Sequence, residues 1–240
     1  VTGVQTCALP ISNYVDGGVL SYRTASEVNQ AMGRVYGYMG MALIISMLVS
    51  MFVGSDPELV KFFFTGIMHW VVIFAPLVAV FALVPFLNAN PTREMCLLAL
   101  GGFGAIMGLS FAVIFAVYTA LSIFSAFMGA GVLFGTMSFY GYFTKRSLDS
   151  LGRFMFVGLI AIIIASIINI FIGSTVMQMV ISALAIIIFL GLTAYDTQQI
   201  REMVSVDTSP AAEVSGALTL YLDFINIFLN LLSLFGVKKD

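Results

Sequence analysis

VSGALTLYLDFINIFLNLLSLFGV, residues Val214–Val237, runs for 24 residues with a single charge, Asp223. About 20 apolar residues cross a hydrocarbon core of roughly 30 Å, so this stretch reads as a membrane-spanning helix. A carboxylate at the centre of such a helix costs roughly 2.5–3.5 kcal/mol on insertion scales, and the default reading of it is functional. On a wheel of about 100° per residue, Ser215, Thr219, Asp223, Asn226, Asn230 and Ser233 fall within a wedge of roughly 80°. Leu222, Phe224, Ile225, Phe228, Leu229 and Leu232 fill most of the rest. Unsatisfied amides and hydroxyls are costly against lipid, so the stripe faces protein or water. Interhelical hydrogen bonding explains it in one reading; a hydrated path, lined by Thr219, Asn226, Asn230 and Ser233 around Asp223, explains it in the other.

The rest of the chain has the same character. Of 240 residues, 60% are hydrophobic and 9% charged, against about 25% charged in soluble domains. The ruler finds six further spans, at about Val35–Val53, Gly66–Leu87, Cys96–Val117, Ile123–Phe143, Gly152–Ile172 and Thr175–Tyr195. The fold expected is therefore an all-α membrane protein of seven transmembrane helices, one domain over 34–240. Residues 12–33 form a polar segment before it. Residues 1–11 fit nothing that follows and read as a non-native or artefactual leader. The connections are short: Ser55–Glu58, Asn88–Glu94 and Thr144–Ser150, with Gln198–Ala212 the longest.

A net charge of −2 excludes a basic nucleic-acid surface. Cys7, Cys96 and the single histidine, His69, supply neither a zinc spacing nor a disulfide framework. No resident cofactor is expected. His69 beside Trp70 reads as an interfacial anchor. Gly104–Gly108 and Gly131–Gly135 are small-xxx-small pairs suited to close helix approach, and Pro76 and Pro85 to a kink in the second span.

With the N-terminus inside, Arg23, Arg34, Arg93, Lys145, Arg146, Arg153 and Arg201 lie inside, against Lys61, Lys238 and Lys239 outside. That bias favours a cytoplasmic N-terminus. It also puts Asp196, at the end of the sixth span, on the side where the seventh begins. Asp223 lies nine residues after Val214, or about 14 Å along the helix, so the two aspartates can meet. Two neighbouring carboxylates share a proton and titrate as a pair. Asp196 alone has an ordinary explanation as an interfacial charge. Arg93, at the same mouth, is either a positive-inside anchor or an ion-pair latch.

LTAYDTQQI (Leu192–Ile200) and ALTLYLDFINIFLNLL (Ala217–Leu232) resemble the last two helices of the Bax inhibitor-1, or transmembrane Bax inhibitor motif, family. FYGYFTKRSLDSLG (Phe139–Gly152) is similar to bacterial members, and the resemblance spans about Gln30 to Phe235. It implies a bundle with the last helix central, ringed by the other six. It further implies a pH-sensitive calcium leak channel whose aspartate pair, matching Asp196 and Asp223, is the sensor. Some members carry an arginine at the end of the second helix that pairs with one aspartate; NANPTRE offers only Arg93 nearby.

On this reading Ca²⁺ is a permeant ion, touching Asp223 transiently. The partners expected are the bilayer, Ca²⁺ and H⁺, with other membrane proteins or a membrane protease as regulatory alternatives and a proton-coupled cation exchanger as another. A monomer in a bacterial inner membrane is expected. An intramembrane aspartyl protease is disfavoured, since Tyr221–Leu222–Asp223 stands where GxGD is required. No enzymatic activity is expected.

Overall fold

The structure, a computed structural model, describes residues 23–89 and 91–239. The 1–11 leader, with Cys7, and residues 12–22 of the 12–33 segment lie outside these residues. The described chain forms eight helices: α1 (Ala25–Gly54), α2 (Pro57–Phe64), α3 (Gly66–Asn88), α4 (Arg93–Val117), α5 (Ala120–Phe143), α6 (Asp149–Ile172), α7 (Thr175–Val206) and α8 (Pro210–Phe235). All but α2 are long and apolar enough to cross a membrane, which gives the expected seven spans.

The helix ends follow local chemistry. Thr24 and Glu27 close a capping box at the start of α1, satisfying donors the first turn cannot bond internally. Thr92, Thr119, Ser174 and Ser209 cap α4, α5, α7 and α8 through their hydroxyls. Gly173, at φ 68°, ends α6 in the left-handed conformation a glycine adopts without strain. Tyr118 and Thr119 alone separate α4 from α5.

Hydropathy misplaced several boundaries. The connection after the first span contains α2, started by the Asp56 side chain, which accepts from Glu58 and Leu59, and by Pro57. α1 begins at Ala25, inside the segment expected to be polar and separate. α7 continues ten residues past Asp196, about 15 Å. A hydropathy ruler stops at charges, whereas a helix continues wherever one side has protein to pack on. Here Ile200 and Val204 are buried. Gln198 accepts from the Leu148 amide and donates to the Arg146 carbonyl, fixing the α5–α6 turn. The connection expected over Gln198–Ala212 shrinks to 207–209.

α8 is the most buried span. It packs against α1, α3, α4, α5 and α7, so the last helix is central as expected. The ring of six is incomplete, because α6 packs on α7 and makes no close backbone approach to α8. Phe224 anchors the α5 side, edge-to-face with Phe127 and Phe134. On another side, Tyr221 is fully buried, with its hydroxyl 2.7 Å from Ser46 Oγ. Ser46 also donates to the Gly104 carbonyl of α4.

That contact needs α1 and α4 close together. A Cβ on Gly104 would lie 3.0 Å from the Ala42 carbonyl, and one on Gly108 2.5 Å from that of Ser46. Gly131 and Gly135 do not do the same: a Cβ at either meets nothing within 4 Å. Their face of α5 is exposed, and the close approach of α5 is made instead by Gly141, against Ala194 of α7. α3 stays helical through Pro76 and Pro85. His69 and Trp70 sit in its first turns, with Trp70 exposed.

Candidate functional site

Because α6 stands off from α8, a groove of about 1130 Å³ remains between α6, α7 and α8, reaching Leu77 of α3. α3 and α6 make no close backbone approach to each other, and the groove lies between them. Along α7 it runs from Asp196 to Gln178, about 27 Å at 1.5 Å per residue. Most of its wall is aliphatic and aromatic, with Ile162, Ile181, Phe189 and Leu192 prominent. The polar groups are few: Gln178 and Asp196 come from α7, Thr219, Asp223, Asn226 and Asn230 from α8, and Arg153 and Ser166 from α6.

Asp196 and Asp223 both line this groove, and their carboxyl groups come within hydrogen-bonding reach of each other. Two carboxylates this close repel each other when both are charged, and a proton shared between them relieves the repulsion. Asp223 is 4% exposed, and its Oδ2 has no hydrogen-bond partner among the described residues. Thr193 lies beside it, but gives its proton to the Phe189 carbonyl at 2.7 Å. Asp196 is not at a helix end: it is half-buried within α7, which continues to Val206.

On either side of Asp223 along α8, Thr219 before it and Asn226 and Asn230 after it also line the groove. Asn226 Nδ2 donates to the Leu222 carbonyl, Asn230 Nδ2 to that of Asn226, and Thr219 to that of Ser215. With the donors turned back onto α8, the amide oxygens are the atoms left for the groove. Ser233 is not part of the lining. It accepts from Ser182, at the end of a chain running through Gln178 to Asn169 that ties α6, α7 and α8 together. No group of three or more His, Cys, Asp or Glu that could hold a metal occurs among the described residues. A cation here would meet one carboxylate pair and amide oxygens, with the Arg153 guanidinium in the same lining, a sparse set beside the six to eight oxygens Ca²⁺ takes in dedicated sites.

Arg93 does not reach the aspartates. Its guanidinium lies 3.8 Å from Glu213, which sequence reasoning passed over. Glu213 is completely buried in the first turn of α8. Arg34 bonds it through Nε at 2.8 Å and Nη2 at 2.6 Å, and Arg23 through Nη2 at 2.9 Å. Every ion pair among the described residues converges on this one carboxylate. The signal was a glutamate abutting an apolar run in PAAEVSGAL. It was missed because the span was drawn from Val214, one residue later.

The family profile described as "Inhibitor of apoptosis-promoting Bax1" matches residues 28–240. The chain belongs to the Bax inhibitor-1 family. It is 37% identical over 218 residues to inner membrane protein YbhL of Escherichia coli, covering 87% of this chain and 92% of that one. An uncharacterized protein of Rickettsia prowazekii is 34% identical over 87% of this chain and 90% of its own. Uncharacterized protein YrjE of Lactococcus lactis is 34% identical over 92% and 97%. This Bax inhibitor-1 protein is thus a multi-pass membrane protein, and its Escherichia coli relative is named for the inner membrane. The aspartate pair lies within the matched region, as does Glu213.

Proposed function

We propose that this protein is a pH-sensitive, calcium-permeable leak channel in which Asp196 and Asp223 are the sensor. One observation carries the reading: a buried carboxylate with an unpartnered oxygen faces a second carboxylate inside a groove that runs most of the membrane depth. A proton between the two joins α7 to α8; its loss sets two negative charges against each other and changes the preferred spacing of the helices. Asn226 and Asn230 offer hard oxygen atoms further along. Few and weak ligands suit passage, because a conducted ion must leave as readily as it enters.

Neither aspartate needs a catalytic role on this reading, and neither a resident cofactor nor nucleic acid enters it. The basic end of the bundle, carrying Arg23, Arg34 and Arg93, is assigned to the cytoplasm by the positive-inside bias. One chain holds the whole groove, so a monomer suffices, in a bacterial inner membrane like that of the Escherichia coli relative. Arg93 is assigned to the Glu213 corner rather than to a latch on the aspartates.

Vesicles containing the purified protein and a calcium dye test the reading. Ca²⁺ entry above that of protein-free vesicles, varying with pH, supports it; entry equal to theirs removes it. A proton-coupled exchanger is the second reading, favoured by the proton-sharing pair. Flux that saturates and is driven by an opposing proton gradient would select it over a leak.

A further inference from the structure

The corner around Glu213 holds more positive charge than it neutralises. Three guanidinium groups approach one carboxylate, leaving two charges without a counter-ion among the described residues. The three are not equivalent. Arg23 is 10% exposed and its donors are placed, on the Val204 and Thr208 carbonyls and on Glu213. Arg34 uses Nε and Nη2 on Glu213 and keeps Nη1. Arg93 is 49% exposed, and at 3.8 Å from Glu213 it is too far for a hydrogen bond and makes none among the described residues. Its neighbour Glu94 forms no ion pair with it.

The position of the corner matters as much as its charge. Arg34 immediately precedes the apolar run beginning at Val35, and Arg93 opens α4. Both sit where helices leave the hydrocarbon. A guanidinium is a planar fork suited to two oxygens of a phosphate or carboxylate, and basic pockets between helices at this depth suit anionic head groups. We propose that Arg93, with the free edge of Arg34, binds a phosphate-type anion. An anionic phospholipid head group or free phosphate supplies it. Such an anion would brace the start of α8 against α1 and α4, since Arg34 belongs to α1, Arg93 to α4 and Glu213 to α8.

Thermal unfolding of the full chain in nanodiscs separates the sources. Wild type, Arg93→Gln and Lys145→Gln are compared in phosphatidylcholine, in an equimolar mixture with phosphatidylglycerol, and in phosphatidylcholine with inorganic phosphate. Lys145 is an exposed cation at the same end that makes no ion pair with Glu213, and so controls for general surface charge. The anion should raise the midpoint by about 2–4 °C in wild type and Lys145→Gln, and not in Arg93→Gln. A shift with phosphatidylglycerol alone assigns the site to lipid, and one with phosphate alone to a soluble anion. No shift in either arm, or an equal shift in Arg93→Gln, overturns the proposal. Arg93→Gln keeps both close partners of Glu213, so it should fold, and its midpoint in phosphatidylcholine checks that. Arg93→Lys, which keeps charge without the fork, should retain a reduced shift.

Discussion

Asp196 of α7 and Asp223 of α8 bring their carboxyl groups together across the α7–α8 contact, with Thr193 alongside and the groove in front. The partners are 27 residues apart in the chain, so the contact depends on how α7 and α8 are held. Two restraints act near it. Gly141 lets the α5 backbone lie against that of α7 at Ala194, Gly191 admits the Met155 side chain of α6, and the Glu213 corner fixes where α8 begins.

Gly141 should be intolerant of any side chain. A Cβ there would lie 2.1 Å from the Ala194 carbonyl, a backbone atom that cannot swing aside. Gly141→Ala is expected to destabilise by about 1–3 kcal/mol, as overpacking does. Gly131→Ala, on the open face of the same helix, should be neutral or stabilise by up to about 1 kcal/mol through helix propensity. Thermal unfolding in one detergent compares the two, and equal effects would contradict the packing described for α5.

Glu213→Gln keeps the shape of the side chain and removes the charge that faces three arginines. Removing one partner of a buried ion pair costs about 3–5 kcal/mol. With Arg34 a third exposed and Arg93 half exposed, about 2–3 kcal/mol is expected here. A melting temperature within a degree of wild type would show that the corner does not hold α8.

The amide oxygens of Asn226 and Asn230 should matter to flux more than to folding, because each side chain bonds only its own helix. Replacing either by Leu is expected to lower Ca²⁺ flux about tenfold, equivalent to about 1.4 kcal/mol, with little change in unfolding temperature. A loss of stability with unchanged flux per folded molecule would assign them to packing.

How much of this was legible beforehand follows from which forces leave a mark on sequence. The central place of α8 was implied by the family resemblance, whereas seven spans were readable because hydrocarbon demands long apolar runs. Asp223 was legible for the same reason, as a charge among apolar residues. Asp196 was half-legible: its apolar run ends there, but α7 does not, since Ile200 and Val204 pack on protein beyond the hydrocarbon. Glu213 was not found, because a charge at the edge of an apolar run looks solvated until its three partners, between 120 and 190 residues distant, are brought to it. Gly131 and Gly135 matched a packing pattern, yet spacing does not say which face of a helix is turned inward. The groove was invisible for a related reason: it exists because α6 fails to touch α8, and a missing contact leaves no motif.

The central claim is that the carboxyl pair senses pH, and its most direct test is Ca²⁺ flux into dye-loaded vesicles at a series of pH values for wild type, Asp196→Asn and Asp223→Asn. An amide cannot lose the shared proton, so wild type should show a pH-dependent leak, and both variants a leak that no longer changes with pH. A pH profile in Asp223→Asn that coincides with that of wild type would contradict the claim.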